Sequence, residues 1–299
     1  MLKLCVIGSS KIVDHHLLVA KKLGFSLYAI SSTRKDSINA KNKFRKFKIK
    51  RYFSDYQDLI KETSKTKGVC YLVASRINDT VKILSDFNNI NLPILVEKPI
   101  SISTKKFTNK LIKKKNIFVG YNRIFYETTK YLKTIDIKNT LIDVTCPEKN
   151  KYSFLTNSCH IISVLIYLFN DLKIIKKIKS KQFINVIFKA KRNNYINLCI
   201  YYNLKTNFKI EIKSTDYFIS QSPIEQIKEY RKMKIVKKKG RNFYYPKLNK
   251  SIYCNEKFKP GFMNQMKMFK KFFTNKNFKI DNNILFAKKV IKICNQVLS

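Results

Sequence analysis

The fold of the first half of this chain follows from the stretch Val6-Ile7-Gly8-Ser9-Ser10-Lys11-Ile12-Val13-Asp14-His15-His16. A short apolar run stops at a glycine, and a helical pattern starts soon after it. Phosphate-binding turns of this kind carry G-x-G-x-x-G, whose glycines serve the tight turn, backbone approach to a pyrophosphate and close helix packing. Here Gly8 is the first, while Ser10 and Val13 stand at the second and third positions. The stretch predicts a dinucleotide-binding turn, or an ordinary strand-to-helix turn in a protein that has lost its nucleotide.

Residues 1–121 alternate short apolar runs with helical patterns. The strand candidates are Leu2–Gly8, Ser26–Ser32, Ile49–Tyr52, Gly68–Ala74, Ile94–Glu97 and Ile117–Tyr121. The helical patterns lie near Val13–Leu23, Ser37–Arg45, Tyr56–Thr63, Asp79–Phe87 and Lys105–Lys114. Continuous apolar strands separated by helices pair in parallel and are covered on both faces. We therefore expect an α/β fold whose first domain, residues 1–121, is a Rossmann-type doubly wound parallel sheet.

Residues 122–299 are expected to form a second, α+β domain with a mainly antiparallel open sheet. Its strand candidates are Thr140–Thr145, Leu172–Lys179, Asn185–Lys191, Ile196–Leu204, Phe208–Ser214 and Tyr217–Ser220, with turns at Asn193-Asn194 and Thr206-Asn207. Residues 222–260 are predicted to be irregular and basic. Two C-terminal helices, Met263–Thr274 and Asn283–Leu298, either close this domain or pack back on the first. Because an open sheet leaves one face to be covered, we expect a homo-oligomer.

The formal net charge is +43. Such a charge fits a nucleic-acid or anionic-surface binder, or a lysine-rich composition with no functional meaning. The lysines are spread along the whole chain and we find no nucleic-acid-binding motif, so nucleic acid is not expected as the main partner. No window approaches the roughly 18–20 apolar residues of a membrane span, and we expect a cytoplasmic protein. Seven scattered cysteines and three histidines offer no ligand cluster, so no metal is expected.

The loop after the second predicted strand bears on the choice of cofactor. It reads Ser31-Ser32-Thr33-Arg34-Lys35 and lacks the acid that often binds the ribose hydroxyls of NAD. Hydroxyls and cations suit a 2′-phosphate, so NADP is preferred over NAD, although a basic loop is also unremarkable in so basic a chain. In this interpretation the pyrophosphate lies against Gly8, Ser9, Ser10, Lys11 and Ile12. The adenosine ribose contacts Ser32, Thr33 and Arg34.

Six segments, in order along the chain, resemble the Gfo/Idh/MocA oxidoreductases (glucose–fructose oxidoreductase, inositol dehydrogenase and relatives). They are Ile7–Ile12 followed by His16, Tyr52–Ile60, Val69–Ala74, Leu95–Ile100, Val119–Arg123 and Ser158–Leu165. The most specific is Glu97-Lys98-Pro99, which is similar to the E-K-P motif of that family. The resemblance covers nearly the whole chain and implies an NAD(P)-dependent enzyme.

The resemblance implies that Lys98 and His160 are catalytic. Pro99 favours an extended Lys98 at the carboxyl end of a parallel strand, where its ammonium can polarise a hydroxyl. A neutral His160 can accept a proton while a hydride leaves the same carbon, although a lone histidine on such a helix is more often a core residue. Further cofactor contacts are expected from Ala74, Ser75, Glu97 and Lys98. Substrate contacts are expected from Lys98, Tyr121, Asn122, Arg123, Thr156 and His160.

Several positions depart from the pattern of active relatives. These commonly carry Asp one helical turn before the histidine and often three residues after it, where this chain has Thr156 and Ser163. A proline and a histidine in the loop after the fourth strand correspond to Arg76 and Thr80. The chain is therefore expected to be an active oxidoreductase, or an impaired relative that binds a nucleotide, a sugar or a partner protein.

Segments of the second half resemble short family members of surface-polysaccharide biosynthesis. They are Ser222–Glu225, Arg241–Lys247 and Phe258–Phe262. The substrates implied are sugars or nucleotide-linked sugars, and a sugar diphosphate would suit a basic cleft.

Overall fold

A computed structural model describes residues 1–255, 257–275, 278 and 280–299. The chain forms two compact units. Unit 1 comprises Met1–Asn122 and Lys257–Lys292, and unit 2 comprises Arg123–Glu256 and Ile293–Ser299.

Unit 1 contains a six-stranded sheet in the order β3-β2-β1-β4-β5-β6, with every pair parallel. Its strands are β1 (Lys3–Ile7), β2 (Ser26–Ser31), β3 (Arg51–Tyr52), β4 (Val69–Val73), β5 (Ile94–Glu97) and β6 (Ile117–Gly120). The intervening helices are α1 (Lys11–Lys22), α2 (Ile38–Phe47), α3 (Tyr56–Thr63), α4 (Ile77–Asp86) and α5 (Asn109–Ile112). All five residues of β4 are buried, as expected for a central strand covered on both faces. The predicted doubly wound parallel sheet is confirmed.

The strand order reverses between β1 and β4, the two central strands. In open α/β sheets, ligands bind outside the carboxyl ends of the strands at such a switch point. Gly8, Ser32 and Ala74 directly follow β1, β2 and β4, so they lie where a ligand of this fold is expected.

Unit 2 contains an eight-stranded sheet in the order β14-β13-β12-β11-β7-β10-β9-β8. Its strands are β7 (Leu141–Glu148), β8 (Leu172–Lys179), β9 (Phe183–Ala190), β10 (Asn194–Tyr202), β11 (Lys209–Lys213), β12 (Phe218–Gln221), β13 (Gln226–Lys238) and β14 (Arg241–Tyr253). The β7–β10 pair is parallel and the other pairs are antiparallel. Burial alternates along β7 and β10, so one sheet face carries the core. The mainly antiparallel second sheet is confirmed.

The helices of unit 2 are α6 (Glu127–Thr134), α7 (Lys151–Ser153) and α8 (Cys159–Phe169), with a π-helical turn at Phe154–Ser158. Two further helices follow the sheet: α9 (Phe262–Thr274) and α10 (Ile284–Leu298). By length and composition, the helical stretch Lys151–Phe169 could cross a membrane, but 61% of its most apolar window is buried, as in a core helix.

The face of the second sheet opposite its core carries a polar chain of side chains. Asn185 donates to Asn197, which donates to Asp143 (2.6 and 3.0 Å), and Lys213 donates to the other carboxylate oxygen of Asp143 (2.6 Å). Burial opposes ionisation of Asp143, but these bonds and the lysine charges outweigh it and lower its pKa.

Three local predictions were wrong. Residues 222–260 are not irregular, because β13 and β14 form a long hairpin there. Lysines on both faces hid its alternation, and the turn is Lys239-Gly240, both with positive φ. The helix predicted over Lys105–Lys114 is reduced to a 3₁₀ turn and α5, since it buries only Phe107 and Leu111. The β9–β10 turn has its positive φ angles at Arg192 and Asn193, one residue earlier than predicted.

Candidate functional site

A cavity of about 670 Å³ lies at the carboxyl ends of β1, β2 and β4 in unit 1. Its lining comes from the segment that follows each strand: the loops Gly8–Ser10 and Ala74–Arg76, and Ser32–Asn39, which includes the first two residues of α2. The volume is within the range of ordinary ligand sites. The structure thus brings together most of the cofactor contacts expected from sequence, namely Gly8, Ser9, Ser10, Ser32, Thr33, Arg34, Ala74 and Ser75. The other two turn residues, Lys11 and Ile12, begin α1.

Gly8 is held where another residue would not fit. Its φ is +136°, and an added Cβ would lie 2.2 Å from the carbonyl oxygen of Ala74. Its amide donates to the Ser31 carbonyl (2.9 Å), which ties the turn to the end of β2. Gly8 therefore makes the tight turn that the first glycine makes in a phosphate-binding turn.

The start of α1 supplies further donors. Ser10 is the N-cap residue, but its hydroxyl makes no capping bond, and it is exposed at the cavity. This side chain therefore accepts no hydrogen bond from the first backbone amides of α1. Those amides form the positive end of the helix dipole. This arrangement can bind a phosphate group.

Hydroxyls connect the turn to the loop after β2. Ser9 Oγ lies 3.2 Å from Ser32 Oγ and 3.3 Å from Ser37 Oγ. Ser37 also caps α2 by accepting from the Ala40 amide (3.4 Å). The loop is thereby fixed as one wall of the cavity.

The charges on the lining are mixed. Arg34, Lys35 and Arg76 contribute cations, and Asp36 contributes a carboxylate. Asp36 is engaged by Lys41 (3.1 Å) within α2, and Lys35 lies 3.6 Å from Asp55. Arg34 and Arg76 form no ion pair within the described part of the chain. These two guanidinium groups can bind an anionic ligand.

The E-K-P segment begins at the end of β5. His16 Nε2 lies 2.6 Å from Glu97 Oε1, and the imidazole is 1% exposed and 4.7 Å from the Phe262 ring. Lys98 follows Glu97 directly and is partly buried. The histidine of the opening motif therefore holds the carboxylate beside the predicted catalytic lysine.

Gly120 lies close beside this arrangement. A Cβ there would lie 3.2 Å from the Val96 carbonyl oxygen, 3.4 Å from Glu97 Oε1 and 3.5 Å from Gln265 Nε2. Gln265 is fully buried, and its side-chain amide has no hydrogen-bond partner among the described residues. A water molecule between Gln265 and Glu97 would satisfy that amide.

Residues after β6 have structural contacts of their own. Tyr121 is fully buried, with its ring 5.6 Å from that of Phe286. Asn122 Nδ2 donates to the Pro260 carbonyl (3.0 Å). In unit 2, the Arg123 guanidinium lies 4.7 Å from the centre of the Phe208 ring.

His160 stands in the first turn of α8 in unit 2 and is 8% exposed. The π-helical turn precedes it, and such turns are frequent at functional sites. The Thr156 hydroxyl donates back to the Tyr152 carbonyl (3.0 Å), and that of Ser163 donates to the His160 carbonyl (2.6 Å).

A buried carboxylate lies near this helix. Glu148 ends β7, is almost fully buried, and accepts a hydrogen bond from Ser158 in the last position of the π-helical turn. This bond anchors the chain two residues before His160.

Comparison with known proteins finds similar folds among solved structures. No family model and no curated protein sequence matches the chain. Among solved structures, it is similar to a dehydrogenase (MviM) from Clostridium difficile, with a TM-score of 0.78, 16% identity, and coverage of 99% of this chain and 98% of that one. It is similar to levoglucosan dehydrogenase in complex with NADH and L-sorbose (0.75, 11%, 99% and 95%). UDP-N-acetylglucosamine 3-dehydrogenase GnnA from Acidithiobacillus ferrooxidans also matches (0.72, 12%, 99% and 96%).

The chain has the fold of the Gfo/Idh/MocA-type dehydrogenases. The resemblance predicted from six short segments is thus confirmed in the fold over nearly the whole chain.

Within this Gfo/Idh/MocA-type fold, the structure adds site residues that sequence analysis missed. Asp36 and Ser37 line the cavity directly after Ser31–Lys35. A serine just before a helical pattern, as at Ser37, is a sequence signal for a helix N-cap. Arg76 was noted only as a departure. No sequence pattern indicated Gln265 or Glu148 as site residues, because their burial depends on contacts with residues distant in sequence. No group of three His, Cys, Asp or Glu side chains in the described residues is arranged to hold a metal ion.

Proposed function

We propose that the protein is an NAD(P)-dependent oxidoreductase that transfers a hydride between a nicotinamide and a hydroxyl or carbonyl of a sugar or nucleotide-linked sugar. The observation that carries the proposal is the cavity around Gly8, at the switch point of a parallel sheet. The named neighbours are dehydrogenases, one of them in complex with NADH. The residues present fit a dinucleotide, because the Gly8 main chain is bare and two guanidinium groups face the cavity.

The binding half of the mechanism rests on unit 1. Gly8 and Ser10 bind the pyrophosphate with main-chain amides and a hydroxyl at the start of α1. Ser32 and Arg34 bind the adenosine ribose and its 2′-phosphate, so NADP is preferred over NAD. When bound, the nicotinamide supplies the hydride acceptor or donor.

The chemical half rests on Lys98 and His160. Lys98 donates to the substrate oxygen and stabilises the negative charge that develops on it. His160 accepts the hydroxyl proton in oxidation and returns it in reduction. Glu97, held by His16, keeps the main chain at Lys98 in place. Tyr121, Asn122, Arg123 and Thr156 complete the proposed substrate contacts.

The wider setting is part of the same proposal. Residues 1–121 bind the nucleotide and residues 122–299 bind the substrate. The sugar belongs to surface-polysaccharide synthesis, and the enzyme acts in the cytoplasm as a homo-oligomer that covers the outer face of the second sheet.

Cofactor preference is tested by thermal shift with NADPH and NADH on the wild type and on Arg34→Ala. A charge-assisted contact to phosphate contributes about 1.5–3 kcal/mol, so Arg34→Ala weakens NADPH binding about 10- to 150-fold and leaves NADH binding nearly unchanged. Arg45→Ala removes an equal charge from the exposed side of α2 and serves as the control. Equal loss for both nucleotides would show that Arg34 does not read the 2′-phosphate.

Catalysis is tested with Lys98→Ala in a turnover assay that uses levoglucosan, myo-inositol and UDP-N-acetylglucosamine as probe substrates. Turnover of any probe is lost in Lys98→Ala, while the NADPH-induced thermal shift is retained. Lys106→Ala, an exposed lysine eight residues later, is the control and behaves as wild type. Full activity of Lys98→Ala would exclude this mechanism.

A second candidate is an impaired relative that binds the nucleotide without turnover. Thr156 and Ser163 favour it, because they stand at the two positions where the resemblance implies an acid. NADPH binding with no turnover across the probe set, in either direction, supports this candidate.

A further inference from the structure

The hairpin of β13 and β14 has an unusual surface. Beyond Tyr230 it pairs with no third strand in the described structure, since Phe218, the first residue of β12, lies opposite Tyr230. Residues 231–250 include nine cations and no acid: Arg231, Lys232, Lys234, Lys237, Lys238, Lys239, Arg241, Lys247 and Lys250. Near the base of the hairpin, Arg231 pairs with Glu229 and the Lys250 ammonium lies 4.5 Å from the centre of the Tyr131 ring. The other seven cations form no ion pair with the described residues.

The strand register sorts the hairpin into two faces, because directly opposed residues point to the same side. One face, the apolar face, carries the pairs Met233–Pro246 and Ile235–Tyr244 and, next to the turn, the polar pair Lys237–Asn242. Met233, Ile235 and Tyr244 are 57%, 56% and 60% exposed. The other face combines cations with aromatic and aliphatic groups and consists of the pairs Lys232–Lys247, Lys234–Tyr245, Val236–Phe243 and Lys238–Arg241.

Lysines on an edge strand can serve merely to prevent strand pairing with another chain. That role does not explain the apolar face, whose large side chains are more than half exposed. A second copy of this chain packed hairpin to hairpin is a poor occupant, because it would bring like charges together, so the homo-oligomer proposed above would cover the sheet outside this hairpin. The surface requires a partner that is anionic and also accepts aliphatic side chains.

We propose that the β13–β14 hairpin binds an anionic phospholipid surface. The apolar face enters the boundary between headgroups and acyl chains, where a tyrosine such as Tyr244 is favoured, and the lysine side chains reach back to the phosphates. Nucleic acid fits less well, because Met233, Ile235 and Pro246 offer neither hydrogen bonds nor aromatic stacking. This inference goes beyond the proposed oxidoreductase activity and is independent of it.

The charge dependence is measured by co-sedimentation with vesicles of phosphatidylglycerol and phosphatidylcholine, and with vesicles of phosphatidylcholine alone. Each cation near an anionic surface strengthens binding about five-fold, so replacing Lys232, Lys234, Lys238 and Arg241 together by Gln weakens it more than about a hundred-fold. The control replaces four exposed lysines of unit 1, Lys21, Lys22, Lys65 and Lys67, by Gln. Because the whole chain is basic, equal loss in both variants would mean that the hairpin is not the binding surface.

Insertion is measured by fluorescence, since the natural chain has no tryptophan. Tyr244→Trp introduces a single reporter on the apolar face, and its emission shifts to the blue and is quenched by brominated lipid when vesicles bind. Leu18→Trp, at an exposed position of α1 in unit 1, shows neither effect. Circular dichroism of both variants verifies that they are folded.

Three results would overturn the proposal. An unchanged emission of Tyr244→Trp with bound vesicles would exclude insertion. Tighter binding to a single-stranded oligonucleotide than to vesicles at physiological salt, lost in the hairpin variant alone, would assign the surface to nucleic acid. A blue shift that grows with protein concentration without vesicles, together with a doubled mass in light scattering, would assign it to a second copy.

Discussion

Replacing Gly8 by alanine tests the origin of the nucleotide turn. A methyl group at Gly8 would meet the Ala74 carbonyl at 2.2 Å, at a φ of +136°. Gly24 offers a matched control, because its φ is +78° and nothing lies within 4 Å of an added Cβ. Both substitutions force alanine into positive φ, and only the first also forces two strands apart.

The expected magnitudes differ. For Gly24→Ala, left-handed strain of about 1–2 kcal/mol is partly offset by about 0.4–1 kcal/mol from a less flexible unfolded chain, so the net loss is at most about 1.6 kcal/mol. For Gly8→Ala, backbone strain of about 1–3 kcal/mol adds to an overpacking term of about 1–3 kcal/mol, giving a loss of about 2–6 kcal/mol. At about 2–4 °C per kcal/mol, the midpoint of unit 1 should fall by roughly 5–20 °C.

Urea unfolding followed by circular dichroism on the full chain measures both variants. A second measurement records the thermal shift with NADPH, which Gly8→Ala should lose because the turn moves, and which Gly24→Ala should keep. Equal unfolding free energies for the two variants, within about 0.5 kcal/mol, would refute the close approach of Gly8 to Ala74.

Three further predictions concern unit 2. Iodoacetamide should modify one cysteine once the proposed homo-oligomer is dissociated into folded single chains, and Cys199→Ser should abolish that reaction, because Cys199 is half-buried on the outer face of β10 and the six other cysteines are buried. Although burial opposes ionisation of Asp143, the Lys213 contact outweighs it and lowers the pKa. The ionised Asp143 therefore contributes fully to the free energy of unfolding above a pH of about 4, and this contribution is lost as the pH falls through the lowered pKa of the folded state. Asp143→Asn should therefore make the free energy of unfolding depend less steeply on pH in that range. A double-mutant cycle on Glu148→Ala and Ser158→Ala should give a coupling of about 1–3 kcal/mol in unfolding, and a coupling near zero would contradict the buried hydrogen bond.

Much of unit 1 could be predicted because its signals are local. Five apolar residues in a row, as in β4, require a strand covered on both faces, and Gly8 marks a turn that no other residue can make. The E-K-P segment was placed correctly at the end of β5, because proline and strand patterns act over two or three residues.

The hairpin shows where local patterns mislead. Lysines occupy both faces of β13, so the period of two was hidden, although Lys239-Gly240 was a usable turn signal. The short helix α5 shows the opposite error, since a lysine-rich helical pattern had too little apolar surface to bury and kept only one turn.

By itself, the sequence determined the parallel order of elements in unit 1, the turn at Gly8 and the position of Lys98, because each depends on neighbours along the chain. Only the tertiary structure decided that His16 meets Glu97, that Gln265 lies against Gly120 and that Glu148 bonds the turn before His160. Those contacts join residues far apart in sequence or buried by distant elements. Their energies depend on burial and distance, which exist only once the chain has folded.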